Sequence, residues 1–267
     1  MPFIEHNING LIYMTAPNIG TAHAFTTRYG GTSGGIYSTL NLGMRLGDDP
    51  NDVAENYSRI CRTLSISREA VVCSNQVHGA GVRVVTRRDL GGLFRPSPYE
   101  YDSLITNDPG ACLMVFTADC APILLYDPVR RAVGAVHAGW RGTAANIAGA
   151  TIGKMAEEYG CSPPDIRASI GPCISRCCYM TGRDVADSVR GVLGNGAGCC
   201  IVEQGGVFMV DLKEANRLLL SRAGLSDISV SDECTSCRND KYWSHRFTNG
   251  ERGSQAAMIY MKGAYPC

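Results

Sequence analysis

The sequence predicts a mixed α+β fold: one domain over residues 1–267, built as a mixed β-sandwich with helices packed on its outer faces. Three observations predict it. Short runs of Val, Ile, Leu and aromatic residues, bounded by Gly, Pro, Asn or Asp, dominate the first two thirds of the chain. Only a few stretches combine helical periodicity with end signals. No linker divides the chain, since Gly91–Pro98 reads as a loop too short to separate domains. Hairpin-like strands mixed with a few helical crossovers pack as sheets that carry helices outside.

In order, Leu11–Met14 and Ala22–Thr26 read as strands. Asp49 then caps a helix over Asn51–Leu64, with Pro50 at its first position, where a missing N–H costs nothing. Val71–Cys73, Val82–Thr86, Ser103–Thr106, Cys112–Phe116, Ile123–Tyr126 and Ala132–Val136 read as strands. Thr143 is the expected cap of a helix over Ala144–Tyr159, where Ile147, Thr151 and Met155 share a face and Gly160 ends the run. A strand Ile166–Ile170, a helix Arg183–Leu193 and a surface turn Gly194–Gly198 follow. Next come a strand Val207–Val210 and a helix Leu212–Arg222, capped by Asp211, with Leu218 and Leu219 turned inward. Ile228–Val230 and Ala257–Met261 complete the strands.

Composition narrows the function classes. Lys plus Arg is 25 and Asp plus Glu is 25, so the net charge is zero and no basic footprint for nucleic acid or an anionic membrane exists. Hydrophobic residues are 45% and charged residues 19%, which excludes wholesale disorder. No apolar run reaches the roughly 18 residues of a membrane span. The stretch from Met1 to Met14 lacks a basic n-region and carries Glu5, so a cytoplasmic protein is expected. The 13 cysteines are odd in number, and Cys177-Cys178 and Cys199-Cys200 are adjacent pairs, which bridge poorly to each other. In a reducing compartment most are expected to be small buried hydrophobes, with one or two acting as ligands or nucleophiles.

Five histidines can be weighed singly. His6 has no suggestive neighbours, His23 alternates with Phe25 in a strand and reads as a satisfied core histidine, and His245 in Trp243-Ser244-His245-Arg246 suits a pocket rim. His78 and His137 sit at strand ends beside glycines, where a ligand can approach closely. Cys120 ends a comparable segment between two apolar strands. Two imidazoles and a thiolate make a three-ligand zinc site with an open fourth position, the arrangement that lowers the pKa of bound water to about 7. The spacing does not prove it, because 42 residues separate His78 from Cys120 and 17 separate Cys120 from His137. Asp119 is either a carboxylate orienting a ligand or a turn residue.

Gln76-Val77-His78-Gly79, Thr117-Ala118-Asp119-Cys120-Ala121-Pro122 and His137-Ala138-Gly139-Trp140-Arg141-Gly142 carry a specific likeness. With Phe25–Gly31, Ser38–Gly43, Gly171–Ile174, Cys178-Tyr179, Cys234-Thr235 and Trp243–Arg246, in this order along nearly the whole chain, the sequence resembles the YfiH-like family. That family is also called laccase-domain, multicopper polyphenol oxidase-like or purine nucleoside phosphorylase. The resemblance implies a zinc held by His78, Cys120 and His137. It implies action on purine nucleosides: phosphorolysis of adenosine, inosine or methylthioadenosine, and adenosine deamination. It also carries copper-dependent oxidation of phenols and editing of peptidoglycan precursors as alternatives. A third alternative is a metal-stabilised binding module with no turnover. One departure falls at Met180, where the family often has an acid; Asp184 nearby reads as a helix-start residue.

For phosphorolysis the candidates are Arg28, Arg141 and Arg246 for phosphate, because guanidinium forks suit its oxygens. Asn41 and Gln76 are placed with the substrate-binding residues, and Tyr179 as a ring to stack on a base. Asp119, Cys120 and Arg141 are the expected catalytic set. Cys173 invites a nucleophile reading that ranks below zinc, and is otherwise placed with the substrate. Cys234-Thr235-Ser236-Cys237 is a lone CxxC and is read as structural. Gly30–Gly35 lacks the Lys-Ser/Thr ending of a P-loop and is expected to be a mobile loop able to fold over a ligand. Trp140 is expected to pack under its turn. The expected partners are a purine nucleoside and phosphate, with the chain a monomer or weak homodimer. Zinc is the expected metal, with copper the alternative.

Overall fold

The apolar runs assemble into two six-stranded sheets in a computed structural model that describes residues 2–91 and 99–261. The first sheet has the spatial order Ile4–Ile8, Leu11–Thr15, Ala22–Thr26, Gln255–Tyr260, Cys112–Thr117, Val71–Val72. Its pairs are antiparallel except the last. The second runs Asp227–Val230, Arg167–Ile170, Ala121–Asp127, Ala132–Ala138, Ser103–Thr106, Val82–Val84, with parallel pairs at its two edges. A three-stranded sheet of Met180–Thr181, Val207–Val210 and Ile201–Gln204 lies apart.

The central strands of the large sheets, such as Ala121–Asp127 and Ala132–Ala138, are buried on both faces and so read as continuous apolar runs. From Cys112–Thr117, Leu113 and Val115 join Leu104, Leu124, Val133 and Ala135 between the sheets. Cys112 and Met114 turn the other way and join Tyr57 and Ile60 of the helix Pro50–Leu64. In the second sheet Ile123 and Leu125 pack with Ile147, Ile152 and Met155 of the helix Ile147–Tyr159. The result is helix, sheet, sheet, helix. Truncating the fully buried Leu113 to Ala costs about 2–5 kcal/mol.

The first helix is built as its sequence implies. Asp49 accepts the Asn51 N–H at 2.8 Å, Pro50 opens the helix and Ser65 in the left-handed region closes it. Gly160 and Asp211 also act as their positions suggested. Thr143 does not cap the next helix. The chain first makes a short helix Trp140–Ala144. Asn146 then caps Ile147–Tyr159 from the left-handed region, its side chain accepting the Gly149 N–H, while buried Thr143 accepts from Asn216. Leu219 and Leu220 bury fully on the helix Leu212–Arg222, whereas Leu218 only borders that core. Gly194–Cys199 forms 3-10 turns. Gly91 lies in a turn, and the rest of the Gly91–Pro98 loop lies outside the described residues.

Three strands escaped the sequence reading. Ile4–Ile8 pairs with Leu11–Thr15 across Asn9-Gly10, both at positive φ, a hairpin turn that the Asn-Gly dipeptide signals. Met180–Thr181 and Ile201–Gln204 are short and exposed, with little apolar periodicity to reveal them. The Gly30–Gly35 loop is anchored, not poised over a ligand. A Cβ on Gly31 would lie 2.1 Å from the Thr39 carbonyl oxygen, and the Ser33 hydroxyl binds Asp48.

The topology gathers the chemistry at one end of the sandwich. Thr117 ends a first-sheet strand and Ala121 begins a second-sheet strand, so Ala118-Asp119-Cys120 is the crossover between sheets. Pro122 pairs with His137, and Ser103 with Val136. Asp102, Cys120 and His137 therefore emerge side by side.

Candidate active site

One buried carboxylate organises the site. Asp102 is fully buried and takes four donors: the N–H groups of Val77 at 3.1 Å, His78 at 3.0 Å and Gly79 at 2.7 Å, and His137 Nδ1 at 2.7 Å. A carboxylate accepts only, so Nδ1 carries a proton, and Nε2 is the nitrogen that a metal would take once it gives up its own. Burial would raise the Asp102 carboxyl, but His137 and the backbone amides outweigh it and hold the pKa below the ordinary value. His78 sits at φ +59° and Asp119 at φ +89°, backbone strain of about 1–3 kcal/mol each that the surrounding bonds must hold. Such strain gathers at functional sites.

The ligand atoms of His78, Cys120 and His137 lie within 4.8 Å of one another. The imidazole rings are 4.8 Å apart and nearly perpendicular. A Cβ on Gly139 would lie 3.0 Å from His78 Cδ2 and 3.1 Å from Cys120 Sγ, so glycine leaves the room in which the trio converges. Burial pushes the Cys120 thiol up, yet His137 and His78 outweigh it and bring it down to about 6. Burial pulls His137 down, while Cys120 and Asp102 drive it up to about 9. Without a metal the pair is thus a thiolate beside an imidazolium. Two imidazoles and a thiolate suit a borderline-soft ion with a fourth position open.

The trio lines a cavity of about 510 Å³, within the ordinary range for small-molecule sites. Of the expected residues, Gln76, His78, Asp119, Cys120, His137, Tyr179 and Arg246 line it, with His245 at its rim. Asp119 does not orient a ligand side chain. Its carboxylate accepts from the Thr235 hydroxyl at 2.6 Å and the Arg246 N–H at 2.7 Å, and the ligand-orienting role falls to Asp102. Gln76 spends its amide on the backbone of Phe116, at 2.7 and 2.8 Å. Arg246 lies 5.3 Å from the Tyr179 ring and donates to the Cys178 and Met180 carbonyls. The Met180 side chain is exposed, and Asp184 sits in the first turn of its helix.

Four expected residues stand outside the lining. The Arg28 guanidinium donates to the Ser38 and Asn239 carbonyls and lies 4.0 Å over Trp243, which ties loops together away from the cavity lining. Asn41 is fully buried, accepting from Gly43 and Ser254 N–H groups and donating to Asp48. Arg141 is exposed and lies 4.3 Å over the half-buried Trp140, which packs as expected. Cys173 is fully buried, and burial pushes its thiol up to about 12, which rules against a nucleophile. His23 is a satisfied core histidine, bonded to the Ala16 N–H and the Thr21 carbonyl.

Two lining or supporting residues were missed. Arg252 lines the cavity, and its buried Nε has no partner among the described residues, while Nη1 donates to Gly253 and Ser254. Burial lowers its pKa, opposed by the charges of Asp119 and Cys120. Arg252 precedes Gly253, so the same glycine-neighbour reasoning applied to Arg28 and Arg141 would have found it. Asp102 offered only a lone acid before a strand.

Comparison with known proteins agrees with the geometry. The model of the family described as multi-copper polyphenol oxidoreductase laccase matches residues 22–262. The purine nucleoside phosphorylase YlmD of Geobacillus stearothermophilus is 40% identical over 249 residues, 91% of each chain. A purine nucleoside phosphorylase of Deinococcus radiodurans is 40% identical over 250 residues, covering 94% of this chain and 93% of its own. The crystal structure of the Geobacillus stearothermophilus YlmD superposes with a TM-score of 0.92 at 38% identity, covering 98% of this chain and 100% of that one. Fold, site and sequence together make this chain a member of the YfiH-like, laccase-domain family.

Proposed function

We propose that the chain is a cytoplasmic purine nucleoside phosphorylase that uses the His78, Cys120, His137 site as a zinc centre. The observation that carries the reading is Arg252, which lines the same cavity as the trio and whose buried Nε has no partner among the described residues. A buried donor without a partner costs about 1–3 kcal/mol, which an anionic ligand returns on binding. The 40% identity to proteins named purine nucleoside phosphorylase supports the same reading.

In this reading Arg252 and Arg246 hold phosphate by charge-assisted bonds and aim an oxygen at C1′ of the nucleoside. Phe116 and Tyr179 offer aromatic surface to the purine. His245, which is not a metal ligand, delivers a proton to the departing base. As the bond from C1′ to the base breaks, phosphate oxygen bonds to C1′ and the products are free purine and a sugar 1-phosphate. A divalent ion held by the trio would supply Lewis-acid polarisation within the cavity. Asp102, bonded to Nδ1 of His137, would leave Nε2 to hold that ion. A second cavity of about 240 Å³ shares Leu46, Gln76, Phe116 and Ser254 with the first and adds Met44 and Cys73 beside Arg45, Ser74 and Asn75; its Met44 side would take the methylthio group of methylthioadenosine.

The test is product analysis of adenosine incubated with zinc-loaded protein, with and without phosphate. Adenine that forms only with phosphate is the expected result. Inosine formed without phosphate would assign deamination instead. The family description favours phenol oxidation as a second reading, but five histidines are too few for a multicopper centre. Turnover of a phenol in proportion to bound copper, with none from the zinc form, would establish it.

A further inference from the structure

A second group of metal-ligating side chains lies outside the trio. Cys177, Cys178, Cys234 and Cys237 come from two loops far apart in sequence, yet their sulfurs all lie within 4.8 Å of one another. Cys177 Sγ is 3.8 Å from Cys178 Sγ and 3.5 Å from Cys237 Sγ, and Cys178 Sγ is 3.3 Å from Cys237 Sγ. A tetrahedral ion with metal–sulfur bonds of about 2.3 Å holds its four sulfurs about 3.8 Å apart. The three spacings among Cys177, Cys178 and Cys237 lie within about half an ångström of that value, and Cys234 Sγ lies within 4.8 Å of all three, close enough for a four-thiolate cage. The Ser175 N–H donates to Cys234 Sγ at 3.3 Å, and the amides of Ser236 and Cys237 turn toward the same sulfur. Several N–H groups on one sulfur suit a thiolate that carries negative charge.

We propose that these four cysteines form a second, closed metal centre that takes zinc. Four soft thiolates in tetrahedral array with no open position make a structural site, not a catalytic one. Its place explains what it would hold. Cys178 precedes Tyr179, and its carbonyl accepts from Arg246. Thr235, inside the Cys234–Cys237 turn, donates to Asp119. The centre thus ties the loop that carries Tyr179 and accepts from Arg246 to the loop whose Thr235 holds Asp119, and its residues act by positioning. It stands independently of the reaction assigned to the first site.

Cys177 and Cys237 are exposed, so serine at both leaves the core intact. Metal content is measured on the whole chain purified with zinc under reducing conditions. The wild type is expected to hold two zinc ions per chain, the Cys177→Ser/Cys237→Ser variant one, His137→Ala one, and the combination none. Cobalt substitution gives an independent signature: the intense thiolate charge-transfer absorption should fall sharply in the cysteine variant and persist in His137→Ala. A wild type holding a single zinc ion that His137→Ala removes overturns the proposal. So does non-reducing mass spectrometry that finds these cysteines paired as disulfides in protein made under reducing conditions.

Discussion

Replacing Asp102 by Asn removes a charge at nearly constant shape, and the structure sets the size of the effect. The native carboxylate accepts four hydrogen bonds, from the amides of residues 77, 78 and 79 and from His137 Nδ1. An amide oxygen accepts two, and its NH2 group turns donors against donors. At least two buried donors are left unpaired, at about 1–3 kcal/mol each, so about 2–6 kcal/mol of stability is lost. That is a large share of the roughly 5–15 kcal/mol that holds a domain folded. The variant also frees His137 from its tautomer, which weakens metal binding about 10- to 100-fold. Urea denaturation of metal-free protein reads the first quantity, and chelator competition reads the second. An unchanged denaturation midpoint together with unchanged metal affinity would refute the role assigned to Asp102.

Other expectations follow from the same geometry. Arg252→Ala should raise the KM for phosphate by tenfold or more while metal content stays unchanged, since a charge-assisted bond is worth about 1.5–3 kcal/mol; an unaltered phosphate KM would count against the anion site. Gly139→Ala places a methyl 3.0 Å from His78 Cδ2 and 3.1 Å from Cys120 Sγ, and should weaken metal binding with little loss of fold, as chelator competition and circular dichroism together would show. Metal uptake at pH 7 should release about one proton, because metal-free His137, raised to about 9, is protonated there while Cys120, at about 6, is already mostly thiolate. Calorimetry in buffers of different ionisation enthalpy reads this directly, and heats that do not depend on the buffer would contradict it. Met44→Asn should lower kcat/KM for methylthioadenosine relative to adenosine about tenfold, the scale of one lost apolar contact.

The sandwich was legible because its strands are short, apolar and sharply punctuated, as Ser103–Thr106 and Cys112–Thr117 are. Which face of each strand meets which layer was not, because residues such as Leu113 and Met114 are buried on opposite sides and no alternation separates them. The His78, Cys120, His137 trio was legible through motif resemblance and not through spacing, since its members meet only where the loop that carries His78 reaches the crossover at Cys120 and the end of the strand Ala132–Ala138. Asp102 was invisible for the opposite reason: its partners are mostly backbone amides, and a sequence does not say which acid a loop will fold around. Arg28 and Asn41 sit in motifs that resemble the family yet serve the scaffold, which glycine-rich surroundings alone cannot distinguish from a site. The thiol cluster was split between an adjacent pair and a lone CxxC, each weak until the fold brings both to one place.

The central claim is that the trio and Arg252 belong to one phosphorolytic site. Its most direct measurement is the release of sugar 1-phosphate from adenosine, with phosphate present, by zinc-loaded wild type, His137→Ala and Arg252→Ala. The account predicts phosphate-dependent product from the wild type, none from His137→Ala, and a rate from Arg252→Ala that recovers partly at high phosphate. Sugar 1-phosphate formed equally well by all three proteins, or by none of them, would contradict it.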